Sequence, residues 1–191
     1  MNRHPSTHHR RSLRLNGYDY AQAGAYFVTI CTQNRACLFG EVVDGKMRLN
    51  VFGEIAREEW FRTGQIRPNV ELDAFVIMPN HIHGIIVIRG NVGATRRVAP
   101  TKHPAGPVSG SIGAIVGQFK SITAKRINEL RGTPRVPVWQ RNYYERIIRD
   151  EPALARIREY IANNPRQWTL DRLNPRHAET KDAGSLRRPT P

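Results

Sequence analysis

The chain has 191 residues, 39% hydrophobic and 24% charged, and a formal net charge of +14. That is enough for one domain with a real core plus tails, and the cationic excess suits a partner dense in negative charge, nucleic acid first. A membrane surface comes second as a partner and is not expected: no apolar run approaches the ~20 residues that span a bilayer, no helical segment pairs a basic face with a greasy one, and the basic N-terminus does not read as a signal peptide.

In chain order, residues 1–16 hold Arg3, Arg10, Arg11 and Arg14 with no acid and read as a disordered basic arm. Ala25 to Thr32 is aromatic and β-branched and predicts a central strand. Leu38–Val43 and Lys46–Leu49 flank Asp44-Gly45, a strong hairpin turn. Asn50 to Gln65 predicts a helix capped by Asn50, with Val51, Phe52, Ile55 and Trp60 forming its apolar stripe. Val70 to Val76 is a strand that turns at Met78-Pro79-Asn80 into another apolar run. Residues 89–111 are basic and rich in Gly and Pro and read as a mobile loop. Ile112 to Leu130 predicts a helix with Ile115, Phe119, Ile122 and Ile127 inward. An extended segment spans Val138 to Arg149, and Asp150 caps a last helix that Pro165 ends. From Thr169 the sequence is polar and basic and reads as a tail. Cys31 and Cys37 form no CxxC pair and read as reduced thiols of a cytoplasmic protein. The order, hairpins rather than βαβ units, predicts an α+β domain with a largely antiparallel sheet and helices packed on it.

The chemistry concentrates in two places. His81 and His83 stand two residues apart at the head of a strand, so both imidazoles point to one face and form a ready pair of metal ligands. Tyr160 and Asn164 stand four apart on the last helix, which stacks a phenol and an amide on one side. Tyr143 and Tyr144 compete as nucleophiles but lack that one-turn spacing to a ligand.

The strand "MPNHIHGIIVI", the segment "VWQRNYYERIIRD" and the last helix "REYIANNPRQW" resemble, in that order, the single-tyrosine HUH transposases, and among them the REP-associated tyrosine transposases. The start of the domain, "LNGYDYAQAGAYFVTICTQNR", is similar as well, and the resemblance covers residues 13–168. It implies a ferredoxin-like HUH domain over 17–168, a divalent cation, Mg²⁺ or Mn²⁺, on His81, His83 and Asn164, and Tyr160 as nucleophile. The implied reaction is metal-dependent cleavage and strand transfer of single-stranded DNA next to REP-like hairpins, through a 5′-phosphotyrosine link. The implied setting is the nucleoid, with the protein a monomer or a homodimer. Arg141, Arg146, Arg149, Arg156 and Lys120 are the candidate DNA contacts.

Two other readings compete. A catalytically silent protein that binds hairpin DNA or RNA would use sheet aromatics such as Tyr26 and Phe27 to stack bases. A two-histidine phosphoesterase would need a second His-x-Ser/Thr motif, and the chain has one His-x-His.

Overall fold

The computed structural model describes residues 18–90 and 107–176. The basic arm at 1–16, the middle of the 89–111 loop and the end of the tail lie outside the described residues.

The described chain runs β1 (Gly24–Cys31), β2 (Gly40–Val43), β3 (Lys46–Leu49), α1 (Val51–Gln65), β4 (Val70–Met78), β5 (His81–Ile88), α2 (Ile112–Leu130), β6 (Tyr144–Ile148) and α3 (Glu151–Asn163). Short turns of 3-10 helix follow β1, at Gln33–Arg35, and α3, at Pro165–Leu170. The main sheet has the order β4-β5-β1-β6, and each neighbouring pair is antiparallel. β2 and β3 pair as a separate hairpin. This is the α+β architecture the sequence predicts, with its antiparallel sheet in the centre.

Period-two alternation gives the sheet two working faces. Tyr26, Val28, Ile30, Ile82, Ile86 and Ile88 pack with Ile55 and Trp60 of α1 and Ile115, Phe119 and Ile127 of α2. Phe27, Ile85 and Ile148 pack with Ala153, Ile157 and Ile161 of α3 on the opposite side. The helix starts follow from their caps. Asn50 Oδ1 accepts hydrogen bonds from the Phe52 and Gly53 amides, both 3.0 Å, and Asp150 Oδ1 accepts one from Ala153 at 2.7 Å.

Packing corrects the apolar stripes at two points. Val51 is 55% exposed, and α1 instead turns Glu59 and Thr63 inward beside Ile55 and Trp60. Glu59 tolerates burial because Arg126 of α2 donates to its carboxylate at 2.7 Å. On α2 it is Thr123 rather than Ile122 that is fully buried. Its hydroxyl donates to the Phe119 carbonyl and accepts from Trp139 Nε1, both at 2.8 Å. A third correction removes the support for a base-stacking sheet: Tyr26 and Phe27 are buried in the two opposite cores, because helices cover both faces where those rings stand.

Gly84 follows His83 and faces α1. Any Cβ there would run into the Trp60 indole, so the sequence His-Gly lets the ring lie on the strand backbone. Gly84→Ala is expected to destabilise the fold by about 1–3 kcal/mol through overpacking, read as a lower urea midpoint with an unchanged slope.

Candidate active site

β5 lies between β1 and β4, and its odd-numbered side chains turn towards α3. His81 and His83 are 0% and 3% exposed, with ring centroids 4.5 Å apart. Each ring is anchored through Nδ1. The cross-strand partner of His83 is Thr29, whose hydroxyl lies 2.8 Å from His83 Nδ1. Asn80, directly before His81, sets its Oδ1 2.8 Å from His81 Nδ1. An Asn side-chain oxygen only accepts, so Nδ1 of His81 carries the proton and Nε2 its lone pair.

Both Nε2 atoms face a small polar pocket under α3. Tyr160, on α3, brings its hydroxyl to 3.1 Å from His83 Nε2. Asn164, one turn later at the C-cap of α3, is 3% exposed. The 3-10 turn Pro165–Leu170 then returns the chain so that Asp171 Oδ2 stands 3.8 Å from His81 Nε2. One ligand atom from each of His81, His83 and Asp171 falls within 4.8 Å of the others. A cavity of about 610 Å³ opens onto the site, and Arg35, Tyr160, Asn164, Asp171 and Arg172 line it.

Two atoms of this pocket are orphaned. His81 Nε2 and Asn164 Oδ1 are buried without a hydrogen bond of good geometry, and the Asn164 side chain lies close enough to His81 and Tyr160 to influence both. Leaving a polar atom so costs about 1–3 kcal/mol, and two such atoms beside a carboxylate indicate a site built for a ligand. Two imidazole nitrogens, an amide oxygen and a carboxylate oxygen suit a divalent cation, Mn²⁺ better than Mg²⁺. The residues present fit a metal ion.

Protonation agrees with that fit. Burial pushes His81 down to about 3, against an upward pull from the neighbouring Asn164 side chain and with Arg35 adding to the lowering; burial pushes His83 down to about 3, with His81 adding to the effect and Asp171 opposing it. Both imidazoles are neutral donors at physiological pH. Burial first, then the Asp171 carboxylate, raises the Tyr160 phenol above its ordinary value. Tyr160 is nevertheless 43% exposed, so an incoming molecule can reach its hydroxyl.

The chain is 44% identical over 173 residues to an uncharacterized protein of Haemophilus influenzae, a match that spans 87% of this chain and 93% of that one. It belongs to that protein's family. No family model matches the chain. A solved structure of a REP-associated tyrosine transposase bound to a REP hairpin superposes with a TM-score of 0.52 at 18% identity, covering 81% of this chain and 74% of that one. The two share one fold.

The family member described here thus brings His81, His83, Tyr160 and Asn164 into one pocket. The basic candidates scatter more widely. Arg146, Arg149 and Arg156 line a second cavity next to β6. Arg141 is exposed, and the Lys120 ammonium donates to the carbonyls of Gln140 and Arg141 at 2.6 and 2.9 Å. Tyr143 donates to Glu145 at 2.7 Å and packs against the core on the α1 and α2 side of the sheet. Asp171 is the site residue that sequence reading missed. Its available signal is that no other acid occurs between Glu159 and Glu179. Thr29 and Asn80 were missed too, since a hydroxyl across a strand and an amide in a turn carry no spacing rule.

The histidines set an acid limit on the fold. Their ordinary value is 6.5 and their folded value about 3, so between those limits the unfolded chain binds more protons. Stability contributed by the neutral rings is therefore full above pH ~6.5 and is lost as pH falls towards 3, by up to ~1.4 kcal/mol per pH unit for each ring. Urea unfolding of metal-free protein across that range should show this slope, and His81→Asn/His83→Asn should flatten it.

Proposed function

We propose that the protein is a metal-dependent, single-stranded DNA transesterase of the transposase kind that cleaves beside hairpins and becomes linked to a 5′ phosphate through Tyr160. The observation that carries this reading is the meeting of a reachable tyrosine hydroxyl with two buried, orphaned ligand atoms, His81 Nε2 and Asn164 Oδ1, beside Asp171. The shared fold with a transposase bound to a REP hairpin supports hairpin DNA as the substrate class.

His81, His83, Asn164 and Asp171 would hold the cation. When bound, it supplies positive charge against the phosphate oxygens and the leaving 3′ oxygen. Tyr160 forms the new P–O bond as the bond to the 3′ oxygen breaks. The phenol gives up its proton, and the leaving oxygen ends as a 3′ hydroxyl. The covalent link conserves the phosphoester for later joining to another strand. Arg35 and Arg172, at the mouth of the pocket, draw the charged backbone towards the phenol.

The Tyr160 hydroxyl lies 3.1 Å from His83 Nε2, and it donates there when Nε2 carries the lone pair that a metal ligand needs. With a cation held there, His83 would no longer offer that lone pair to the Tyr160 phenol. Tyr160→Phe is therefore expected to bind Mn²⁺ about 2- to 10-fold more tightly than wild type, the equivalent of one net hydrogen bond, measured by calorimetric titration.

The covalent step has a direct test. Incubated with end-labelled hairpin DNA from the flanks of its own gene and Mn²⁺, the wild-type protein should carry label through SDS electrophoresis. Chelation, or Tyr160→Phe, should remove that band. A band that persists in Tyr160→Phe would overturn the assignment of the nucleophile.

A further inference from the structure

The sheet face that carries the histidines continues beyond them to an open edge. The register places His83, Thr29 and Tyr144 in one row across β5, β1 and β6. Tyr144 is therefore two strand spacings, roughly 10 Å, from His83. Alternation puts Arg146 on the same face, in the row of Phe27. Tyr144 is 41% exposed. Its ring and that of Tyr160 both meet Phe27 edge-on, at 6.3 and 6.1 Å. On α3, Arg156 precedes Tyr160 by one turn and shares its side of the helix.

Between this edge and the start of α3 lies a cavity of about 460 Å³, lined by Tyr144, Arg146, Arg149, Ala153 and Arg156 among others. Glu145 and Asp150 also border it. Asp150 is occupied as the α3 cap, and Glu145 accepts from the Tyr143 hydroxyl. The three arginines have neither a hydrogen bond nor an ion pair among the described residues. Arg126 and Arg158, elsewhere on the surface, are paired with Glu58, Glu59 and Asp73. Three unpaired guanidinium groups beside two carboxylates that are already engaged attract an anion of repeating charge. An exposed ring among them adds a platform for a flat group. Phosphates on guanidinium groups and a base on an aromatic ring are how single strands are held. A base inside a duplex is already stacked and cannot use the ring.

We propose that this groove seats the single-stranded DNA adjoining the scissile phosphate, with a base stacked on Tyr144 and backbone phosphates on Arg146, Arg149 and Arg156. The link to cleavage rests on the reading of Tyr160 as nucleophile, but the groove itself is tested without cleavage.

The experiment is fluorescence anisotropy with labelled 15-nucleotide oligo-dT, full-length protein and chelator, over a range of NaCl concentrations. Each variant is first checked for an unchanged thermal melt. Arg146→Gln/Arg149→Gln/Arg156→Gln should weaken binding at least tenfold and reduce the log–log salt slope by about 2, since each phosphate contact contributes ~0.7 on single strands. Tyr144→Ala should weaken binding about tenfold, and Tyr144→Phe should retain it. Arg57→Gln/Arg62→Gln/Lys125→Gln removes equal charge from α1 and α2, on the other side of the sheet, and should leave the slope near wild type. An equal loss in that control would reduce the effect to net charge and overturn the proposal. So would wild-type affinity in Tyr144→Ala, or equal affinity for a blunt duplex or for oligo-rU. A protein that passes these tests yet forms no covalent DNA adduct would keep the groove and lose the nucleophile.

Discussion

The burial of β5 on both faces is the constraint on which the rest of the site depends. A strand between two others, covered by α1 and α2 on one side and α3 on the other, accommodates polar side chains only where each has a partner. Its outward row towards α1 is Ile82, Gly84 and Ile86, which is pure packing. Its row towards α3 begins with His81 and His83, whose Nδ1 atoms are satisfied by Asn80 and Thr29. The same desolvation keeps both rings neutral over the whole physiological range, the form a metal ligand must have. One arrangement therefore serves both stability and the site: the inner nitrogens are anchored, and the outer ones turn towards Tyr160 and Asp171.

Asn80 extends that arrangement beyond the strand. It is fully buried, and its Nδ2 donates to the carbonyls of Arg35 and Leu173 at 3.0 and 2.7 Å. One amide thus joins the turn after β1, the first histidine and the segment that carries Asp171. Asn34 and Arg35 both adopt a φ of 55°, a left-handed conformation that non-glycine residues hold only where the surroundings enforce it. Enforcement comes from Asn80, and from Thr32, whose hydroxyl donates to Ala36 O and Asn80 O. The strained turn lies at the mouth of the pocket and presents Arg35 to it.

The large positive charge divides into structural and free parts. Arg126 neutralises a buried glutamate between α1 and α2, and Arg158 ties α3 to Asp73 on β4. Lys120 fastens the segment before β6 to α2. These cations hold elements together. The arginines of the β6 edge hold nothing among the described residues, and they adjoin the α3 face that bears Tyr160. Net charge alone could point to nucleic acid; the pairing pattern says where on the surface it would lie.

Much of the fold is written in short stretches of chain. Alternation and turn chemistry marked the strands, Asn50 and Asp150 marked helix starts, and the two short spacings, His-x-His and Tyr-x-x-x-Asn, marked residues that the fold brings together. Those features are local, encoded within one or two turns of chain. The tertiary structure alone decided which helix face was inward, as at Val51 and Thr123, because that depends on what lies opposite. It also brought Thr29 to His83 across a strand pair and Asp171 to His81 across 90 residues of chain. Hydrogen bonds and ligand sets close between segments distant in sequence, so their geometry exists only once the sheet has set its register.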